Sequence, residues 1–126
     1  IHCWEVELTA APVNRYTMVG VCKSSVQPGG GTNRLYGTHG AWFLYAQNGG
    51  LFGNSRSNSD AAGAFAQGDR VGCKLDLGAG TLAFYKNGVK HGPGHTGVAG
   101  PVKRCVELCT QNDRVTLLQR AAAFAD

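Results

Sequence analysis

The sequence has one methionine, four prolines and only 16% charged residues, and nowhere in it is there a run of the roughly 20 apolar residues that a membrane span requires. Its first residues lack the basic-then-apolar layout of a signal peptide, so no membrane association is expected. The low charge density excludes a disordered tail. The net charge of +4 is spread over scattered lysines and arginines with no basic run longer than two, which argues against a nucleic-acid partner, because such binding needs a concentrated basic face. Helical periodicity is almost absent. His91 and His95 have the spacing of two helical metal ligands, but Pro93 and the glycines around it prevent the helix that would align them. No Gly-Lys-Ser/Thr follows a glycine-rich stretch to cradle phosphate, and no Ser or Cys nucleophile can be matched with a His and an acid. The expectation is no metal, no cofactor and no catalysis.

What is present fits a single domain over residues 1–126. This length buries about two-thirds of its unfolded surface, and a split would leave two marginal cores. The chain opens at Ile1 and runs straight into a strand-like segment, as expected of a piece excised from a longer protein. Cys3, Cys22, Cys73, Cys105 and Cys109 are an odd set lying mostly in apolar runs, where a free thiol packs as a small hydrophobe. That points to a reducing compartment, cytoplasmic or nuclear.

Short alternating runs recur between clusters of Gly, Asn, Ser and Pro, the pattern of an all-β chain. In Cys3–Leu8, Trp4, Val6 and Leu8 fall on one face and Cys3, Glu5 and Glu7 on the other. Further strands are predicted at Tyr16–Cys22, Trp42–Ala46, Leu51–Phe52, Val71–Leu77, Thr81–Lys86, Val102–Thr110 and Arg114–Leu118. The stretch Gly53–Gly68 reads as irregular, and Ala121–Ala125 as a helical turn or a frayed end. Asn87-Gly88 is a strong hairpin signal, because both residues tolerate the positive φ of a type I′ turn. A two-sheet antiparallel β-sandwich is the natural way to bury such strands.

The run Gly68-Asp69-Arg70-Val71-Gly72-Cys73-Lys74-Leu75-Asp76-Leu77, followed by Gly80-Thr81-Leu82-Ala83-Phe84-Tyr85-Lys86-Asn87-Gly88, closely resembles the central motif of SPRY domains. Trp4-Glu5-Val6-Glu7-Leu8 and Val19-Gly20-Val21 resemble that family's opening strands at suitable spacing. The resemblance implies a concanavalin-like, jelly-roll sandwich and a role in protein recognition, as a scaffold module or as the substrate-binding part of a ubiquitin ligase. Two departures accompany it. The family's usual strand before Trp4-Glu5-Val6 is missing, and the strand after the central hairpin, Val102–Leu108, is more charged than usual.

In family members that capture short peptides, three loops form the surface. By position they correspond to Asn14 and Arg15, to Asn33, Arg34, Leu35 and Tyr36, and to Cys109, Thr110, Gln111 and Asn112. These residue types are suited to holding a peptide, since Tyr36 offers amphipathic contact, Arg15 and Arg34 can meet carboxylates, and the amides can pair with an extended backbone. The partner expected is therefore a protein or short linear peptide.

Two other readings compete. A lectin would use Trp42, Tyr45 and Phe52 to stack on a sugar, with the many asparagines hydrogen bonding to it. A glycoside hydrolase would use Glu5 and Glu7, about 6.6 Å apart on one strand face, near the spacing of inverting enzymes. Such enzymes usually carry a further acid on that strand, which here stops at Leu8-Thr9-Ala10, so two solvent-facing carboxylates are expected instead.

Overall fold

A computed structural model describes residues 1–10, 17–25, 40–54, 56–108, 113–119 and 124. Among these residues there is no helix, and the strands are β1 (His2–Ala10), β2 (Met18–Lys23), β3 (Ala41–Tyr45), β4 (Leu51–Gly53), β5 (Arg56–Ser59), β6 (Arg70–Asp76), β7 (Thr81–Lys86), β8 (Val89–Lys90), β9 (Val102–Glu107) and β10 (Arg114–Gln119). They form two five-stranded antiparallel sheets, sheet A in the order β10-β1-β6-β7-β8 and sheet B in the order β5-β4-β3-β2-β9. The expected two-sheet sandwich is the fold.

Period-two alternation builds the interior. Trp4, Val6 and Leu8 of β1, Val71, Cys73 and Leu75 of β6, and Leu82 and Phe84 of β7 meet Val19 and Val21 of β2 and Trp42 and Leu44 of β3 in one buried cluster. Cys22, Cys73, Cys3 and Cys105 are all free thiols. Burial pushes the Cys105 thiol up to about 12, helped by a hydrogen bond with Cys22 on the neighbouring strand, and burial raises Cys73 as well. Thiols held protonated in this way are packing groups rather than nucleophiles.

The hairpin turn forms as expected, with Asn87 at φ 50° and Gly88 at φ 87°. The Asn87 side chain also ties the turn to the start of β6, accepting from Arg70 N at 2.8 Å and donating to Asp69 Oδ1 at 3.0 Å. Burial would raise the Asp69 carboxyl, but bonds from Asn87 and Ala66 N and the charges of Lys86 and Arg70 outweigh it and hold the group below its usual range.

Two expectations need correction. The segment Gly53–Gly68 contains strand β5, which pairs with β4 through Leu51↔Ser59 and Gly53↔Arg56. Its sequence, Arg-Ser-Asn-Ser, has no apolar alternation because β5 is a sheet edge. It is held instead by polar contacts such as Asn48 Nδ2 to Asn58 Oδ1 at 2.9 Å. Glu5, expected in solvent, is only 8% exposed. The outer face of sheet A is not bare: Phe124 returns from the end of the chain and stacks on Tyr85, with ring centroids 4.3 Å apart. It lies over Gly72, the β6 residue paired with Glu5, where a Cβ would come within 2.5 Å of the Phe124 ring.

Candidate partner-binding surface

The ten residues expected to touch a partner, Asn14, Arg15, Asn33, Arg34, Leu35, Tyr36, Cys109, Thr110, Gln111 and Asn112, lie outside the described residues. The strand ends that carry them are described. Leu8 O accepts from Gly68 N, Phe65 N donates to Ala46 O, and Ala46 N donates to Thr17 O, so the end of β1 and the start of β2 sit at one end of the sandwich. The register Ala10↔Arg114 and Met18↔Glu107 puts the start of β10 and the end of β9 there too. Segments 11–16 and 109–112 thus spring from adjacent strand ends. Segment 26–39, which carries Asn33–Tyr36, instead leaves from Lys23, paired with Val102, and re-enters at Ala41, paired with Cys22. That is the opposite end of β2, roughly 17 Å along the strand.

The structure adds Asp113, at the root of the 109–112 segment. It is 7% exposed, and among the described residues neither carboxylate oxygen has a hydrogen-bond partner. A buried acceptor left unmade is costly and normally finds a donor. Nothing in a polar residue following Asn112 distinguishes this position from an ordinary turn, so no sequence signal could have singled it out.

The other candidate groups are occupied elsewhere. Arg70 Nε donates to Glu5 Oε2 at 3.3 Å, so one of the two paired carboxylates is committed to a cross-strand ion pair. Trp42 faces the core, whereas Tyr45 and Phe52 lie on the outer face of sheet B and pack edge to face at 5.4 Å; the three aromatics do not form one platform. His91 and His95 diverge: Nε2 of His91 lies 2.9 Å from Gly63 O, and Nε2 of His95 lies 3.0 Å from Phe43 O. A carbonyl only accepts, so His95 carries its proton on Nε2. Burial lowers its pKa, with Arg56 adding to that effect and the Phe43 bond opposing it. Among the described residues no cluster of His, Cys, Asp and Glu could hold a metal.

On the flank where β9 closes sheet B, a cavity of about 290 Å³ opens between the sheets, lined by His2, Trp4, Val21, Leu75, Leu77, Val102, Lys103 and Arg104. The Arg104 guanidinium lies over the Trp4 ring at 4.9 Å.

The structure is similar to two solved human structures. The SPRY domain of human HERC1 matches with a TM-score of 0.78 and 24% identity over 97% of this chain and 76% of that one. A second human SPRY domain matches with a TM-score of 0.75 and 18% identity over 97% of this chain and 78% of that one. At these identities the likeness establishes the fold. A sequence comparison with characterised proteins gave no significant match. The SPRY domain family model matches residues 1–115, nearly the whole sandwich, and the chain therefore belongs to the SPRY domain family.

Proposed function

We propose that this domain is the recognition element of a larger cytoplasmic or nuclear protein, and that it holds a short linear peptide or a partner's surface loop at the end of the sandwich where segments 11–16 and 109–112 emerge. SPRY domains are in general protein-interaction modules and typically non-catalytic. The observation that carries the reading is the buried Asp113 carboxylate at the root of those segments, which has no hydrogen-bond partner among the described residues. A cationic or amide donor from a partner would complete it. The scaffold beneath is a packed two-sheet core, so the partner meets little ordering cost from the strands themselves. Segment 26–39, with Arg34 and Tyr36, has the length to reach the same surface, since extended chain spans up to about 3.3 Å per residue. The assembly served would be a scaffold or the substrate-recognition arm of a ubiquitin ligase.

The test is affinity capture from cytosolic extract, with wild type run beside an Arg15/Arg34/Tyr36 triple-alanine variant and each hit remeasured by calorimetry. Partners that bind wild type and lose affinity for the variant support the proposal. Equal affinity for both removes these residues from the site and sinks it.

A further inference from the structure

We propose that the groove between β1, β6 and β9 is a second docking site, one that takes an extended acidic segment of a partner protein bearing an aliphatic side chain. The inference rests on the protein-interaction reading but uses a different surface from the strand ends that carry segments 11–16 and 109–112. Its apolar wall is Leu75, Leu77 and Val102, with Trp4 beneath. Leu77 is 42% exposed, one of few large apolar side chains left in solvent, and it belongs to the same inward-facing row as Val71, Cys73 and Leu75. At about 290 Å³ the cavity is at the lower limit for small-molecule sites. It suits a side chain or two rather than a cofactor.

The charge around it has one sign. Arg104 supplies its charge, and among the described residues no Asp or Glu lines it; Lys103 also borders the groove, but it pairs with Cys22 on the outer face and its ammonium donates to Ser24 O at 3.5 Å. Arg104 pairs with Val21, an inward-facing residue of β2, so it projects toward the space between the sheets rather than away from it. An inward charge on an edge strand discourages sheet-to-sheet aggregation. Here it does more, because the guanidinium lies over the Trp4 ring at 4.9 Å, which favours that position at the mouth of the groove. Among the described residues Arg104 has no ion-pair or hydrogen-bond partner, so its donors there have no protein acceptor. A planar fork seated on a ring matches a carboxylate, and the ring contact lowers the side-chain entropy left to lose on binding. Nucleic acid fits the groove less well. It would need more cations and an accessible ring for base stacking, whereas Trp4 is 1% exposed.

The test is an NMR titration of the ¹⁵N-labelled chain with a short glutamate-rich peptide containing two adjacent leucines. The same peptide with lysine in place of glutamate, and a single-stranded oligonucleotide, are run beside it. The acidic peptide alone should shift the amides of Leu77 and of Val102 to Arg104. Arg104→Glu should weaken it about tenfold, Leu77→Asp should weaken it as well, and both variants should keep the wild-type melting temperature because both side chains are exposed. The Arg15/Arg34/Tyr36 variant should bind the peptide as wild type does. Shifts confined to segments 11–16 and 109–112 that survive Arg104→Glu would overturn the groove and leave the loop reading standing. No shift with the acidic peptide, or equal binding of the oligonucleotide at the groove, would overturn it too. Loss of loop-dependent capture with the groove titration intact would defeat the loop reading alone.

Discussion

The two faces of sheet A are buried by different means. Toward sheet B, eight side chains from β1, β6 and β7 interdigitate with the facing strands: Trp4, Val6, Leu8, Val71, Cys73, Leu75, Leu82 and Phe84. On the outside, Tyr85 and Glu5 are removed from solvent on the face where Phe124, itself 3% exposed, stacks on Tyr85. The inner face is covered by many strands at once and follows from alternation. Among the described residues the outer face is covered by one ring, Phe124, and its site on the sheet exists because residue 72 is glycine. Redundant burial tolerates small shifts, whereas a single lid holds only while its seat stays clear.

The comparison breaks most sharply at the inner face. Phe84→Ala should lower stability by about 3–5 kcal/mol, since it opens a cavity where the neighbouring strands cannot collapse. Denaturant unfolding measures this, and an unchanged midpoint would mean that β7 is in the wrong register. The outer face should give a smaller and more conditional effect. Phe124→Ala is expected to cost about 2 kcal/mol, and Gly72→Ala to cost a comparable amount by forcing the ring off its seat. Because both act on one contact, the double variant should be less destabilised than the sum of the singles by about 1 kcal/mol. Strict additivity would show that the lid does not rest on Gly72.

The smallest effect lies between the sheets, at His95. Its folded pKa is lowered, chiefly by burial, so below the unfolded value of about 6.5 the unfolded chain binds the extra proton more readily. The stability gained from neutral His95 is therefore complete above about pH 6.5 and declines as the pH falls toward the folded pKa. His95→Gln should flatten the stability curve in that window. Parallel curves for the two proteins, from thermal melts across it, would assign the slope to another group.

Much of this fold was legible because its strands alternate. Thr81–Lys86 is found with the bounds the pattern predicts, most other strands shift by a residue or two at their ends, and the strand expected over Val102–Thr110 ends at Glu107, with residues 109 and 110 outside the described residues. Strand β5 was illegible, since an edge strand fastened by asparagine and backbone contacts carries no apolar period to detect. Val102–Glu107 is an unusually charged strand, and its position at the edge of sheet B supplies the reason. For the candidate sites the balance reverses. The segments holding Arg15, Arg34, Tyr36 and Gln111 are singled out through a family likeness. The Trp4–Arg104 stack and the Phe124 lid each join residues far apart in the chain, and the burial of Asp113 is set by packing around it.

By itself the sequence determined the all-β class, the inward rows of β1, β6 and β7 and the turn at Asn87-Gly88, because side-chain alternation and positive-φ tolerance are local properties written residue by residue. Only the tertiary structure decided which faces stayed in water. It buried Glu5 beside Gly72, set Arg104 over Trp4, and placed segments 11–16 and 109–112 on neighbouring strand ends while anchoring 26–39 at the other. Those outcomes depend on which strands become neighbours and which become edges, and hydrophobic burial fixes that only when the whole chain packs at once.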